Sequence, residues 1–339
     1  GRMRVSVSEN GGSLVTMSAV IEAPAARVDA IAEGTAAIFD IGLEALSNHS
    51  FVPPSTPVRF DKPAQTTPLV FGTLPQLALD VTPARNGPLC LFLHGIGGNR
   101  SNWQNQLGLA GTITCAAALD LRGYGDSTLG SAQTTVDDYC DDILRSADAL
   151  GADRLILCGL SYGAWIATTF AEKYPERMAG LILSGGCTGM SEAGPDEREA
   201  FRASRETPLD AGQSPADFAP AVIDVIAGPH ATDPALQAMR ASMAAIPVET
   251  YRDALRCFTN PLRKFDFSQL NMPVLMMTGE HDKLAPPSEI KSVAKRIHAA
   301  ADMPDVQFEI IKGAGHICNV EAPDLYNAPM MAFLDRVAR

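Results

Sequence analysis

The sequence predicts an α/β fold in which a mostly parallel central sheet carries helices on both faces and is interrupted by a helical cap insertion. From about residue 69 to the end, short apolar runs alternate with segments of helical pattern. Four of these runs are nearly continuously apolar, as strands buried on both faces of a parallel sheet are. Between residues 187 and 262 the alternation stops, and a polar, helix-like segment without a strand-like run takes its place. Alternating strands and helices favour a parallel sheet wrapped by helices.

The first 68 residues have a different pattern from the rest. Residues 1–50 contain an apolar helical stripe after Pro24, which predicts a helical extension with a face that must be buried. Residues 51–68 carry five prolines and are expected to form an extended linker. Two roles stay open for the extension: it packs on the protein's own surface, or it is an arm for a homo-oligomer.

The core is predicted to comprise residues 69–186 and 263–339, with residues 187–262 as the cap. Its strand-like runs are 69–81, 89–95, 114–121, 155–161, 178–186, 273–280 and 306–313. Its helix-like segments are 134–150, 162–174, 286–300 and 323–338.

The most specific motif is Gly-Leu-Ser-Tyr-Gly at residues 159–163, between an apolar strand and a helical run. A G-x-S-x-G motif in that context is typical of a nucleophile elbow, whose glycines permit a sharp turn and close packing. Ser161 is the candidate nucleophile. The alternative is a strand–turn–helix loop that happens to contain a serine.

A glycine-rich turn, His94-Gly95-Ile96-Gly97-Gly98, directly follows the strand-like run at 89–95. Such a turn can present backbone N–H groups where an acyl-transfer reaction develops negative charge on oxygen. The predicted oxyanion hole consists of the amides of Ile96 and Tyr162. The alternative is a plain turn at a strand end, and His94 is expected to be structural rather than a base.

An acid and a histidine follow the last two strand-like runs. Asp282 comes after residues 273–280, and His316 lies in a glycine-flanked loop after residues 306–313. Taken alone, Asp282 is equally consistent with a helix cap and His316 with an ordinary loop residue. The order Ser161, Asp282, His316 with each residue at a strand end predicts a catalytic triad.

Residues 69–339 resemble the α/β-hydrolase superfamily through these motifs and through LDLRGYGDST (119–128), TGEHDKLAP and GAGHICNVEAPD. They are most similar to 3-oxoadipate enol-lactonases, bacterial carboxylesterases and meta-cleavage-product hydrolases. Relatives with an aspartate or cysteine nucleophile differ from this chain at Ser161. Carbon–carbon hydrolases often have asparagine where Leu160 stands and an aromatic residue where Ile317 stands.

The resemblance implies a cofactor-independent hydrolase that cleaves a small-molecule ester, lactone, thioester or activated amide through an acyl-enzyme. One alternative is a carbon–carbon bond or amide hydrolase with the same triad. An alternative of another class is a small-molecule sensor of this fold with little turnover. The sequence leaves the acyl group and the leaving group open.

Five further residues are candidates for lining the substrate pocket. Arginines in the insertion could bind a substrate carboxylate, although such residues more often form a solvated face with neighbouring glutamates. Aromatic candidates line a pocket or simply pack in the core. The pocket candidates are His94, Tyr124, Trp165, Arg198 and Arg202.

Composition limits the partners and the compartment. A formal net charge of −12 argues against nucleic acid and, more weakly, against an anionic membrane surface. Seven scattered cysteines without a CxxC pair suggest neither a zinc knuckle nor a redox pair, and they favour a reduced compartment. The histidines are too dispersed for a metal site. With no apolar leader or membrane-length run, the expected location is the cytoplasm.

Overall fold

The computed structural model describes residues 62–339. The predicted extension at 1–50 and most of the predicted linker lie outside these residues. Residues 62–66 have no regular secondary structure, and the first strand begins at Thr67.

The described residues form one eight-stranded sheet in the order β1-β2-β4-β3-β5-β6-β7-β8. Strands β1 and β2 run antiparallel to each other, and β2 runs antiparallel to β4. The other neighbouring pairs are parallel. The strands are β1 Thr67–Phe71, β2 Leu77–Val81, β3 Leu89–Leu93, β4 Ala116–Asp120, β5 Leu155–Leu160, β6 Met178–Ser184, β7 Val274–Gly279 and β8 Val306–Ile311.

Ten α-helices accompany the sheet in the described part of the chain. Six belong to the core: α1 Gln104–Ala110, α2 Val136–Ala149, α3 Tyr162–Lys173, α8 Pro287–Ala300, α9 Cys318–Glu321 and α10 Pro323–Val337. Four lie between β6 and β7: α4 Pro195–Asp210, α5 Pro215–Ile226, α6 Asp233–Ala244 and α7 Val248–Phe258. The predicted α/β fold with a helical cap insertion is therefore confirmed.

Helices cover both faces of the sheet, and successive side chains of a strand point to opposite faces. In β3, Leu91 joins the cluster formed with α2, α3, α8 and the cap, whereas Phe92 joins the cluster formed with α1 and α10. All five residues of β3 are buried. This two-sided burial explains why the central strands are uniformly apolar in sequence.

The structure corrects the prediction of one strand over residues 69–81. Two antiparallel strands occupy that segment, and residue 71 pairs with residue 77 across the turn between them. Gly72 in this turn has φ +77°, a left-handed conformation that favours glycine. Gly72 and Pro75 break an otherwise apolar run, and turn residues of this kind mark a hairpin. Helix α1 was also not predicted.

No helix in residues 62–339 is both long enough and apolar enough to cross a membrane.

Helix α3 packs on β3 with no space for a side chain at Gly163. A Cβ atom there would lie 2.2 Å from the carbonyl oxygen of Leu93 and 2.7 Å from that of His94. We therefore expect Gly163→Ala to lower the free energy of unfolding by about 1–3 kcal/mol, because backbone must move to accept the methyl group.

The matched control is Gly130→Ala, where the nearest atom to an added Cβ is 3.5 Å away. Its free energy of unfolding should stay within about 0.5 kcal/mol of the parent. Urea unfolding of both variants measures the difference, and equal stability would contradict the tight packing of α3 on β3.

Candidate active site

Three chemically reactive residues follow the carboxyl ends of parallel strands. Ser161 comes directly after β5, Asp282 lies three residues after β7, and His316 lies five residues after β8. Since parallel strands end at the same edge of a sheet, these residues share one side of the molecule. In open α/β sheets this is the edge at which ligands bind.

Ser161 has φ 53° and ψ −111°, and it is the one non-glycine residue of the described chain with positive φ. The strained turn is allowed because the flanking glycines let backbone approach backbone. A Cβ at Gly159 would lie 2.3 Å from the carbonyl oxygen of Gly163. A strained side-chain-bearing residue at a strand–helix junction is typical of functional sites.

His316 and Asp282 form a buried pair. The Nδ1 atom of His316 lies 3.0 Å from Oδ1 and 2.9 Å from Oδ2 of Asp282. The side chain of His316 is 7% exposed and that of Asp282 is fully buried. A carboxylate at Nδ1 fixes the tautomer that leaves Nε2 free to accept a proton.

Further hydrogen bonds hold Asp282 ionised. Burial acts to raise its pKa, but the hydrogen bond from His316 and the backbone amides of Ala285 and Leu284 outweigh that effect. Both amides donate to Oδ1, at 2.9 and 2.8 Å. The pKa of Asp282 is therefore lowered below its ordinary value, and the carboxylate stays charged at neutral pH.

The end of β6 brings Ser161 and His316 to one place. The backbone N–H of Ser161 donates to the carbonyl oxygen of Ser184 at 2.7 Å. The next residue, Gly185, has φ +60°, and a Cβ there would lie 3.1 Å from Cε1 of His316. Ser161 and the ring of His316 thus contact successive residues of one strand end.

The glycine-rich turn after β3 lies against the nucleophile candidate. A Cβ at Gly95 would lie 3.5 Å from the Cβ of Ser161. Tyr162 is the first residue of α3, so its N–H has no acceptor within the helix. Among the described residues, no backbone hydrogen bond is donated by Ile96. Its carbonyl oxygen instead accepts from the hydroxyl of Tyr124 at 3.1 Å.

His94 is fully buried behind this turn. Its Nε2 accepts from the backbone N–H of Leu121 at 3.1 Å, so Nδ1 carries the proton and donates to the carbonyl oxygen of Gly95 at 2.8 Å. Both ring nitrogens are engaged by backbone, which leaves neither for a substrate. Burial lowers the pKa of His94, against smaller raising effects of Asp120 and the Gly95 carbonyl.

The two aromatic pocket candidates are almost completely buried. Tyr124 packs edge-on against His94, with ring centroids 4.8 Å apart. Trp165 donates from Nε1 to the hydroxyl of Ser191 at 3.2 Å and packs against Phe258 of the cap. The contacts of Trp165 join the core to the cap, and direct contact of either residue with a substrate stays a prediction.

Arg198 and Arg202 line a cavity of about 410 Å³ on α4 that includes none of Ser161, Asp282 and His316. Arg202 pairs with Glu199 at 2.5 Å and with Glu206 at 3.7 Å. These ion pairs correspond to the solvated-face alternative. Carboxylate binding by Arg198 or Arg202 stays a prediction.

The described residues contain no cluster of His, Cys, Asp and Glu suited to a metal ion. All seven cysteines are free thiols. Cys318, two residues from His316, is fully buried, and burial raises its pKa well above the ordinary value. A buried, protonated thiol is a poor nucleophile.

The sequence reasoning assigned no role to Glu321, which the structure places beneath the His316 loop. This glutamate is buried, and it accepts hydrogen bonds from the backbone on both sides of His316. Its signal in the sequence is an acid in an otherwise uncharged stretch five residues after the histidine.

Comparison with known proteins gives a consistent result. Residues 90–328 match the alpha/beta hydrolase family. The chain is 26% identical over 267 residues to RutD of Escherichia coli, named provisionally as a carbamate hydrolase, covering 76% of this chain and 94% of that protein. It is 26% identical over 279 residues to a 2-(acetamidomethylene)succinate hydrolase of Mesorhizobium japonicum, covering 77% and 92%. A thermophilic esterase from Thermogutta terrifontis superposes with a TM-score of 0.69 at 25% identity, covering 81% of this chain and all of that one.

The buried, neutral state of His94 predicts a pH-dependent stability. Its folded pKa lies below the ordinary value of about 6.5. As pH falls below that value, the unfolded chain binds a proton that the folded chain does not, so the free energy of unfolding decreases. The contribution has a slope of at most about 1.4 kcal/mol per pH unit.

Between pH 7.5 and 5, His94→Gln should therefore show a shallower decrease in the free energy of unfolding than the parent, although it is less stable throughout. His230→Gln, at an exposed histidine, serves as the control and should keep the parent slope. Identical slopes for parent and His94→Gln would contradict a neutral, buried imidazole.

Proposed function

Because the chain belongs to the alpha/beta hydrolase family, we propose that it is a serine hydrolase that cleaves a carboxylic ester, lactone or related acyl bond of a small molecule through an acyl-enzyme. The observation that carries the proposal is the strained backbone of Ser161 at the same sheet edge as the buried His316–Asp282 pair. Hydrolysis is also the activity named for the two curated relatives, and the structural neighbour is an esterase.

The proposed reaction uses only groups of this chain. Nε2 of His316 takes the hydroxyl proton of Ser161 while the serine oxygen attacks the acyl carbon. Asp282 stays ionised and stabilises the imidazolium. His316 then protonates the leaving group, whose bond to the acyl carbon breaks. A water molecule then attacks the acyl carbon of the acyl-enzyme while His316 takes its proton. His316 returns that proton to the oxygen of Ser161 as the acyl bond breaks and the acid is released.

The amides of Ile96 and Tyr162 are the proposed donors to the tetrahedral oxyanion. Three features support this role: Gly95 approaches Ser161, Tyr162 begins α3, and Ile96 makes no backbone donation within the described chain. Preorganised donors of this kind typically contribute on the order of 10²–10³ in turnover each.

Helix α6 of the cap packs against the glycine-rich turn that carries the proposed oxyanion hole. A Cβ at Gly97 would lie 3.8 Å from Sδ of Met243, which is buried on α6. The hydroxyl of Ser242 donates to the carbonyl oxygen of Gly97 at 3.4 Å.

Ser161→Ala should remove turnover and leave the fold intact, because only one oxygen is lost from a partly exposed turn. We expect less than about a hundredth of the parent rate on a p-nitrophenyl ester. An organophosphonate that modifies activated serines should label the parent at Ser161 by peptide mass analysis and leave Ser161→Ala unlabelled.

Ser268→Ala, at a half-buried serine outside the motifs, should retain both activity and labelling. A single slow turnover by the parent, with no further product, would instead indicate a sensor. Retention of more than a hundredth of the rate by Ser161→Ala would show that another residue is the nucleophile.

The assignment of the acid can be tested separately. Asp282→Asn keeps the side-chain shape but allows the wrong tautomer of His316, which in other triads reduces turnover by on the order of 10⁴. Glu280→Gln is the matched control two residues earlier. Glu280 is exposed and binds Lys312 and the backbone N–H of Gly313, both at 3.0 Å.

Rates on one ester substrate, compared for the two variants, decide between the carboxylates. We expect Asp282→Asn to lose nearly all turnover and Glu280→Gln to stay within a few-fold of the parent. The assignment of Asp282 fails if Glu280→Gln is the more damaging change.

A further inference from the structure

Glu321, at the end of α9, accepts three backbone hydrogen bonds. Its Oε2 atom accepts from the N–H of Gly315 at 2.8 Å and from the N–H of Gly228 at 2.6 Å. Its Oε1 atom accepts from the N–H of Ile317 at 3.1 Å. The residue is only 6% exposed. One buried carboxylate therefore fixes the residues before and after His316 and, in addition, a residue of the cap insertion.

The cap holds the backbone of His316 itself. The N–H of His316 donates to the carbonyl oxygen of Ile226, the last residue of α5, at 2.9 Å. Three consecutive amides, from 315 to 317, thus donate to two groups: the carboxylate of Glu321, through both of its oxygens, and the carbonyl of Ile226 in the cap.

The cap segment 226–228 and the His316 loop touch through bare backbone. A Cβ at Gly228 would lie 2.4 Å from the backbone nitrogen of Gly315, and a Cβ at Gly315 would lie 2.3 Å from the carbonyl oxygen of Ile226. Neither position has room for a side chain. The loop that carries His316 and this part of the cap cannot shift independently of each other.

Backbone N–H dipoles point at the carboxylate of Glu321 and stabilise it. The hydrogen bonds to its carboxylate come from the backbone N–H groups of Gly228, Gly315 and Ile317. Each of its oxygens faces N–H donors, so a glutamine in its place would turn an NH₂ group toward at least one of them. An unsatisfied buried amide and a donor–donor contact would displace the loop.

We propose that Glu321 is a positioning residue that joins the His316 loop to cap segment 226–228, so that the placement of the base depends on the docked cap. The proposal rests on the function proposed above, in which His316 is the base. Glu321 does not touch the reacting atoms and acts through His316 alone. Misplacement of a catalytic group by about 1 Å is enough to reduce a rate on the order of 100-fold.

The first test is Glu321→Gln with Glu280→Gln as the matched control. Both changes replace a carboxylate that binds backbone amides next to the same loop, but Glu280 is exposed and binds Gly313 outside the segment 315–317. We expect Glu321→Gln to lower kcat by about 10- to 100-fold with KM within about three-fold.

Gly228→Ala tests the same coupling from the cap side and leaves the charge of Glu321 in place. The added methyl group would press on the backbone of the His316 loop at residues 313–315. We expect a similar loss of kcat, again with KM within about three-fold of the parent value. In the double variant the two losses should be less than multiplicative, because both displace one loop.

The outcomes are decisive in each case. A folded Glu321→Gln with the parent kcat would overturn the proposal, as would a folded Gly228→Ala with the parent kcat. If Glu321→Gln does not fold, Gly228→Ala decides. If neither folds, Glu321 is a structural residue and the proposal is wrong.

This test is separable from the test of the proposed function. Turnover by the parent and its loss in Ser161→Ala establish the serine mechanism, whatever Glu321→Gln does. If Ser161→Ala is inactive and Glu321→Gln is unaffected, only the positioning role fails. If Ser161→Ala retains the parent rate, the proposed function fails first.

Discussion

The tight contact between helix α3 and strands β3 and β5 is the constraint on which the rest of the site depends. Gly163 lies against the carbonyl oxygen of Leu93, and Gly159 lies against Gly163. With no side chain at either position, the chain reverses between β5 and α3 within one residue. Ser161 adopts the strained backbone conformation that this reversal requires, with φ 53°. A larger residue at 159 or 163 would widen the turn and draw Ser161 away from the end of β6, to which its amide is bonded.

The remaining groups reach Ser161 by long-range pairing. Strands β5 and β8 are separated by more than a hundred residues in sequence. The parallel pairing of the sheet nevertheless brings the ends of β5, β7 and β8 to one edge. The cap bonds directly to the His316 backbone through Ile226. The strand ends alone therefore do not fix His316, and the cap is part of its support.

Local signals in the sequence predicted most of this arrangement. The elbow glycines, the apolar strands and the strand-end position of Asp282 each follow from residue types over a few neighbouring positions. The hairpin at 67–81 was not predicted because both of its strands are apolar. The segment therefore resembles a single strand unless the turn residues Gly72 and Pro75 are taken into account. Glu321 was not predicted for another reason. Its partner Gly315 is near it in sequence but its partner Gly228 is far from it, and only the folded backbone shows that the three residues meet.

The two buried carboxylates of the site differ in what surrounds them, and that difference separates their roles. Asp282 accepts from a titratable imidazole and from two amides, so part of its environment changes charge when His316 gains a proton. Glu321 accepts from three backbone amides, none of which can change charge. Stabilisation of a forming imidazolium requires the first kind of surrounding. Holding a loop in one place at every stage of a reaction requires the second, because a fixed set of dipoles gives the same bonds before and after proton transfer.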